Sequence, residues 1–330
     1  MNDRAVGLLE QYDIEVLRTR KGRGAILCDT DRGCLIFKEY TGNENRIHMQ
    51  NRLLNHINET GSVQVESILS TKEGGLLVKD GDGTAYVLKT YREGRECNIY
   101  EKGECTEAVR LLARLHKCME VPVENEEIVP ERFSVEKEYE KHNRELKRVR
   151  KYLQQRGQKT WFEICLLNHF DYFLDQAVTV TEEWKEYCHA GKGSEGAEQT
   201  ISFCHGDFQY HNILWNDGKW FVVNFERCLP DNPIRDLYLF LRKLLEKSNW
   251  SIPLGKELLS AYEEELPISA MSRIDLYYRL AYPEKFWKIV NFYYNSGKAW
   301  IPERNQDKLE KLVIQEKEKQ NFLDEVFRKL

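Results

Sequence analysis

Hydrophobic and polar positions over the first ninety residues follow the short-range pattern of β-strands. Brief apolar runs rich in β-branched and aromatic residues are separated by turns that contain glycine, which indicates a small sheet. The predicted strands are residues 14–19, 25–29, 33–40, 68–71, 76–79 and 86–88. One helix is predicted among them, from about residue 44 to residue 58.

After residues 89–94, the spacing of apolar residues changes from that of strands to that of helices. Apolar residues then recur at i, i+3, i+4 and i+7, which places them on one face of a helix. Two such stripes are Ala108, Leu111, Leu112 and Leu115, and then Phe162, Cys165, Leu166, Phe170 and Phe173. Further along, the pattern predicts a loop at 189–199, strands at 201–205 and 220–225, and a charged amphipathic helix from about 303 to 330.

Composition narrows the class of protein. The chain has 330 residues, 41% of them hydrophobic, and a formal net charge of −5, which is too mild to imply nucleic acid or an anionic membrane as a partner. No apolar run is long enough to span a bilayer, and the first residues lack the apolar segment of a signal peptide. The nine cysteines include no CxxC pair, which favours buried free thiols in a reducing compartment. We therefore expect synthesis in the cytoplasm.

The strongest chemical signal is His205-x-Asp207 followed by Asn212, placed between two apolar strands. Phosphoryl transfer needs a carboxylate that orients the nucleophile's proton and oxygen ligands that hold metal ions against ATP phosphates. This pattern predicts Asp207 in the first role and Asn212 in the second, with His205 bracing the loop by a hydrogen bond. The alternative is a plain hairpin in which Asp207 and Asn212 only satisfy turn geometry.

The loop 205–214 resembles the phosphotransferase motif of aminoglycoside kinases and choline kinases. More closely, the chain resembles the CotS family of spore coat proteins from endospore-forming bacteria. The matching segments are 86–88, 94–96, 112–117, 204–214, 222–226, 236–243 and 293–302. The resemblance implies an α+β, two-lobed, protein-kinase-like fold, with a β-rich nucleotide lobe at 1–90 and a larger helical lobe at 91–330. It also implies association with sporulation, location in the spore coat, and other coat proteins as partners.

The second metal position departs from the kinase pattern. Active kinases place an aspartate before the phenylalanine, and its carboxylate chelates the magnesium ions that bridge the phosphates. This chain has Asn224 there, so one negative charge is lost at a site that favours anionic oxygen. If the strand continues, Glu226 points the same way as Asn224 and supplies the missing charge. The alternative is that Glu226 pairs with a nearby basic residue such as Arg227 or Arg235.

The remaining candidate nucleotide contacts carry weaker signals. Lys38 ends a strand at the position of the kinase lysine that pairs with phosphates, or it is an ordinary surface lysine. Gly22 and Gly24 lie in a turn that could cover phosphates with backbone N–H groups, although two glycines alone are weak evidence. Leu88 and Lys89 are expected to contact adenine through their backbone. The glutamate that normally holds the kinase lysine is not evident in the helix 44–58.

Two residues outside the motif have competing interpretations. Asp236 resembles the aspartate that braces a kinase catalytic loop, but it could equally be a helix N-cap. His116 lies beside the apolar stripe of its helix and is interpreted as a packed helix residue rather than a ligand.

Two functional classes follow. The segment between Asn224 and Asp236 is too short for the activation segment of a protein kinase, which favours a small-molecule kinase ancestry. The first class is a pseudokinase or weakly active phosphotransferase that acts as a coat scaffold. The second is an active kinase that uses ATP and Mg²⁺ to phosphorylate a small hydroxyl-bearing acceptor.

Overall fold

The computed structural model describes residues 3–22, 24–122, 134–191, 200–295 and 303–328. Contacts between residues group the chain into two units, each assembled from separate stretches. The first unit comprises Met1–Asn125, Thr200–Asp236 and Ala261–Leu266; the second comprises Glu126–Gln199, Leu237–Ser260 and Pro267–Leu330. The lobe division at residue 90 stays a prediction.

A five-stranded sheet opens the first unit. Its strands are β1 (Val16–Gly22), β2 (Ala25–Thr30), β3 (Gly33–Glu39), β5 (Val78–Lys79) and β6 (Ala85–Thr90). They are ordered β1-β2-β3-β6-β5, and each strand is antiparallel to its neighbours. The short antiparallel connections agree with the glycine-rich turns of the sequence.

The two faces of this sheet differ in character. One face buries an apolar core under a 3-10 helix at Asp3–Gln11. The core residues are Leu9, Tyr12, Ile26, Cys28, Leu35, Phe37, Val78, Tyr86 and Leu88. Because side chains alternate along a strand, Ile36, Lys38 and Lys89 face the other way. The face opposite this core therefore carries the two lysines.

The rest of the first unit surrounds the motif loop. Helix α1 (Glu44–Thr60) begins at Asn43, whose side chain caps the N–H of Arg46 at 2.9 Å, and it ends at Gly61 in a left-handed conformation. Strands β4 (Gln64–Val65), β7 (Arg95–Glu96), β10 (Ile213–Asn216) and β11 (Lys219–Val222) form a sheet ordered β4-β11-β10-β7. Helix α2 is Lys102–Cys118, and β8 (Glu120–Pro122), β9 (Thr200–Cys204) and β12 (Leu229–Pro230) form a third sheet.

The second unit is helical. It contains α3 (Val135–Gln155), α4 (Trp161–Gly191), α7 (Ala270–Ala281), α8 (Glu284–Asn295) and α9 (Glu303–Phe327), with most of α5 (Ile234–Lys247) and α6 (Ile252–Glu263). Phe173 of α4 stacks on Phe286 of α8 with ring centroids 4.6 Å apart, inside the core. No helix in the described parts of the chain is long and apolar enough to cross a membrane.

The structure confirms the α+β class and corrects several boundaries. Residues 68–71 form only isolated bridges, because Ile68 pairs with Lys89 and Thr71 with Tyr12. The strand predicted at 220–225 ends at Val222. Helix α4 continues to Gly191, so the predicted loop begins later, and its residues 192–199 lie outside the described residues.

Candidate active-site cleft

Asp236 braces the motif loop from the start of α5. Its side chain is fully buried, and its two oxygens accept hydrogen bonds from the backbone N–H groups of His205 (2.6 Å) and Gly206 (2.9 Å). Burial raises the pKa of this carboxyl, but the hydrogen bonds from His116 and the Gly206 N–H and the neighbouring imidazole of His205 outweigh it, so the pKa lies below its ordinary value. Asp236 is therefore a loop brace and stays ionised.

His205 ties the loop to the end of β11. Its Nε2 lies 2.9 Å from the carbonyl oxygen of Val223, and its Nδ1 lies 3.2 Å from the backbone nitrogen of Asp207. A carbonyl accepts and an N–H donates, so this pair of contacts fits the neutral ring with the proton on Nε2. These contacts agree with the bracing role expected of His205, and they hold the backbone of the loop at Asp207 in place.

Asp236 is in turn held by His116, which contacts Tyr262. His116 of α2 is buried, with Nε2 3.4 Å from Asp236 and Nδ1 2.7 Å from the hydroxyl of Tyr262. The histidine thus orients the carboxylate as well as filling space. The sequence interpretation of His116 as a packed helix residue missed this contact, because its two partners are 120 and 146 residues away.

Two asparagine amides meet at the predicted metal position. The Nδ2 of Asn224 donates to the Oδ1 of Asn212 at 2.6 Å, and the Nδ2 of Asn212 donates to the carbonyl of Asp207 at 2.8 Å. Asn224 has φ of 69° and ψ of 56°, a left-handed conformation that asparagine tolerates well. This turn ends the strand, so Glu226 does not follow Asn224 along an extended strand as the sequence analysis assumed.

Glu226 instead pairs with lysines. Its Oε1 lies 3.0 Å from the Nζ of Lys38 and also contacts the Nζ of Lys89. Lys89 lies 3.0 Å from Glu66 as well, and the side chains of Lys89 and Glu66 are each only 3% exposed. We call Lys38, Lys89, Glu66 and Glu226 the ion cluster. The alternative in which Glu226 pairs with a base is thus the one observed, although the bases are lysines rather than Arg227 or Arg235.

The charges in this cluster reinforce one another. Burial lowers the pKa of the Lys89 ammonium, but the carboxylates of Glu66 and Glu226 outweigh it and raise the pKa above its ordinary value. Burial raises the pKa of Glu226, whereas Lys89 and Lys38 together lower it to about 2. Lys89 and Glu226 are therefore both charged at neutral pH. Sequence reasoning missed Glu66, which lies between Val65 and Ser67 and belongs to no recognisable motif.

Side chains of helix α1 hold the backbone of the segment after Asn224. The Nε2 of buried Gln50 donates to the carbonyls of Phe225 (3.1 Å) and Glu226 (3.2 Å), and Arg46 donates to the carbonyl of Glu226 at 2.7 Å. Gln50 stands in the middle of the helix where the sequence showed no glutamate for Lys38. The helix therefore positions a loop here, and Glu226 provides the carboxylate for Lys38.

These groups line a cleft of about 350 Å³ within the first unit. Five of the predicted site residues meet there, namely Lys38, Asp207, Asn212, Asn224 and Glu226. The other lining residues are Glu39, Tyr40, Thr41, Gly42, Arg46, His211 and Arg227. The cleft thus combines a carboxylate on a braced loop with positive charge from lysine and arginine.

The other predicted nucleotide contacts have different surroundings. Gly22 pairs with Ala25, which pairs with Lys38, so the β1–β2 turn lies at the same end of the sheet as Lys38. Leu88 is fully buried in the opposite face, and its carbonyl accepts the N–H of Leu69 at 2.9 Å. Lys89 belongs to the ion cluster. The roles of Gly22, Gly24, Leu88 and Lys89 toward a nucleotide stay predictions.

The oxygen donors of the cleft fit a magnesium ion poorly. Asp207 is a carboxylate, but Asn212 and Asn224 offer neutral amides that already bond to each other, and Glu226 is held by two lysines. Magnesium favours anionic oxygen in octahedral geometry. Among the described residues, no group of three or more His, Cys, Asp or Glu side chains is arranged to hold a metal ion.

Comparison with solved structures shows the fold. The chain is similar to an aminoglycoside phosphotransferase from Alicyclobacillus acidocaldarius, with a TM-score of 0.81 and 18% identity, over 98% of this chain and 95% of that one. It is also similar to a spectinomycin phosphotransferase in complex with ADP and spectinomycin (TM-score 0.61, 12% identity, 94% and 92% covered). A third similar structure is an amicoumacin kinase in complex with AMP-PNP and Ca²⁺ (TM-score 0.62, 11% identity, 97% and 94% covered).

Comparison of sequences shows the family. The chain is 25% identical to spore coat protein S of Bacillus subtilis (strain 168) over 324 residues, which is 94% of this chain and 90% of that protein. The resemblance to CotS-like spore coat proteins is thereby confirmed. The family described as "Spore coat putative kinase YutH" matches residues 6–326, and the chain belongs to that family of spore coat proteins with an aminoglycoside-phosphotransferase-like fold.

Proposed function

We propose that this protein is a scaffold of the spore coat, a pseudokinase or weakly active phosphotransferase whose cleft keeps a nucleotide site. One observation carries the proposal: the amides of Asn212 and Asn224 bond to each other at 2.6 Å where active kinases hold a metal ion. An amide in place of a carboxylate removes one unit of charge, and a unit charge 4 Å away is worth about 4 kcal/mol at an effective dielectric of 20. Metal-dependent phosphoryl transfer is correspondingly weak.

Location and partners are proposed from the family. The relative in Bacillus subtilis is a spore coat protein, and we extend that location and association with other coat proteins to this chain. A nucleotide ligand is supported by the similar kinases that hold ADP and AMP-PNP. In the cleft, Lys38 would meet phosphate oxygens after release from its present carboxylate partner, and Asp207 would orient an acceptor hydroxyl.

Calorimetry of ATP with and without magnesium tests the metal argument. The native chain should gain little affinity from magnesium, while Asn224→Asp restores the carboxylate and should gain about tenfold or more, which corresponds to about 1.4 kcal/mol. Equal magnesium dependence in the two proteins would contradict the assignment of weak metal binding to Asn224.

An active small-molecule kinase is the second candidate, because Asp207 is presented by a fully braced loop. The test is phosphate transfer from ATP to sugar, choline and amino-alcohol acceptors by the native chain and by Asp207→Asn. The scaffold proposal expects background or weak rates from the native chain and background from the variant. A native rate of about 1 per second or more, as kinases typically show, that Asp207→Asn abolishes would establish an active enzyme and overturn the scaffold.

A further inference from the structure

The ion cluster is divided between a buried half and a half open to the cleft. Lys89 and Glu66 are each 3% exposed, whereas the side chains of Lys38 and Glu226 are 24% and 25% exposed. One oxygen of Glu226, Oε1, contacts both lysines. The four groups sum to zero charge, so the cleft lysine is neutralised by a carboxylate from its own chain.

The backbone beneath Glu226 is fixed. Arg46 and Gln50 hold its carbonyl at 2.7 and 3.2 Å, and the N–H of Phe225 donates to Glu66 at 3.0 Å. Phe225 itself is 1% exposed. Because the loop is pinned at these points, exchange of partners at Lys38 requires movement of side chains alone.

We propose that Glu226 is an internal competitor for anions at Lys38, so that the cleft admits the polyphosphate of a nucleotide only by separating this lysine from its own carboxylate. The proposal rests on the proposed function only in taking the cleft as a nucleotide site. Lysine carries a point charge with three donors, and it can exchange a carboxylate for a phosphate oxygen. The exchange leaves Glu226, Lys89 and Glu66 with a net charge of −1 beside the incoming anion.

This arrangement makes affinity depend on the charge of one side chain. Neutralising Glu226 frees Lys38 and removes the residual negative charge, while Lys89 keeps Glu66 at 3.0 Å and the fold keeps its buried pair. We expect Glu226→Gln to bind ADP on the order of tenfold more tightly than the native chain. Measurement is by calorimetry on the full chain with ADP and EDTA, so that no divalent metal contributes.

Glu39→Gln is the matched control. Glu39 lines the same cleft and is exposed, so the change removes the same charge without touching the partner of Lys38. Screening by water and salt limits its effect to about twofold. Glu226→Met, a second neutral variant of similar length, should reproduce the gain of Glu226→Gln, and the unfolding midpoint of each variant verifies folding.

A double-mutant cycle separates competition from general electrostatics. In a Lys38→Met background, Glu226→Gln should lose most of its gain in ADP affinity and keep no more than the roughly twofold effect of removing a nearby negative charge, because the site of competition is gone. A gain that stays near tenfold without Lys38, an equal gain from Glu39→Gln, or unchanged ADP binding in both Glu226 variants would overturn the proposal. These results are independent of the scaffold role, which fails instead if the native chain transfers phosphate at the rate of an active kinase and Asp207→Asn does not.

Discussion

Removal of the Glu66 carboxylate should weaken the first unit more than any surface charge change. In Glu66→Gln, buried Lys89 retains Glu226 as its anionic partner, and the N–H of Phe225 bonds to a neutral amide oxygen. The side chains of Glu66 and Lys89 are each 3% exposed, so water cannot replace the lost charge. A buried ammonium with too little compensating charge is costly.

The magnitude follows from this burial. Removing one partner of a buried ion pair costs about 3–5 kcal/mol. Because Glu226 remains, we expect the lower end, about 3 kcal/mol, which is a large share of the roughly 5–15 kcal/mol that stabilises a typical domain. With urea slopes of up to about 3 kcal/mol/M, the unfolding midpoint should fall by about 1 M or more.

Urea unfolding with hydrogen exchange provides the assay. Exchange of the backbone amides in β3 and β6 reports the first unit specifically, whereas circular dichroism reports the whole chain. The control is Glu44→Gln, since Glu44 and Lys79 form an ion pair at 3.3 Å with side chains 71% and 59% exposed. Such a pair contributes less than about 1 kcal/mol.

The double variant Glu66→Gln with Lys89→Met tests the cause. It removes the poorly compensated ammonium and fills the space with an apolar side chain of similar length, so it should recover more than half of the loss. The reasoning is refuted if Glu66→Gln costs no more than Glu44→Gln, or if the double variant is less stable than the single one.

Three further changes address the braced loop and the cleft. Gly206→Ala should cost more than about 2 kcal/mol in unfolding free energy, because φ of Gly206 is +79° and the added Cβ would lie 2.2 Å from the carbonyl oxygen of Arg227. The control is Gly103→Ala, which should be neutral or stabilising because its Cβ enters open space on a helix. Asp236→Asn should cost about 2–3 kcal/mol by urea titration, since two charge-assisted bonds to backbone N–H groups weaken. Burial raises the pKa of Glu226, but two lysines lower it from 4.5 to about 2. The stabilisation that Glu226 contributes is therefore complete above pH 4.5 and is lost as the pH falls towards 2. Acid unfolding followed by circular dichroism should show a smaller loss of stability over this range in Glu226→Gln than in the native chain.

The predicted catalytic loop shows why the contacts within a local motif can be predicted from the sequence. His205, Asp207 and Asn212 are close in sequence, and their spacing leaves few ways to connect two strands while satisfying the polar groups. Their mutual contacts therefore follow from the sequence.

Glu226 shows why the remainder could not be predicted. Its lysine partners lie on strands 188 and 137 positions earlier in the chain, and they reach it only because β3 and β6 are adjacent in the sheet. The left-handed turn at Asn224 also changes the direction of Glu226, and a strand-period argument cannot foresee such a turn.

The sequence by itself determined the change from strands to helices, the motif loop and the presence of Asn224 where active kinases carry an aspartate, because periodicity and residue chemistry are local properties. Only the tertiary structure decided that Asn224 bonds to Asn212, that His116 supports Asp236 and that the carboxylate of Glu226 holds the cleft lysine. Ion pairs and hydrogen bonds form between any compatible groups that folding brings within reach, so their partners depend on how distant strands pack.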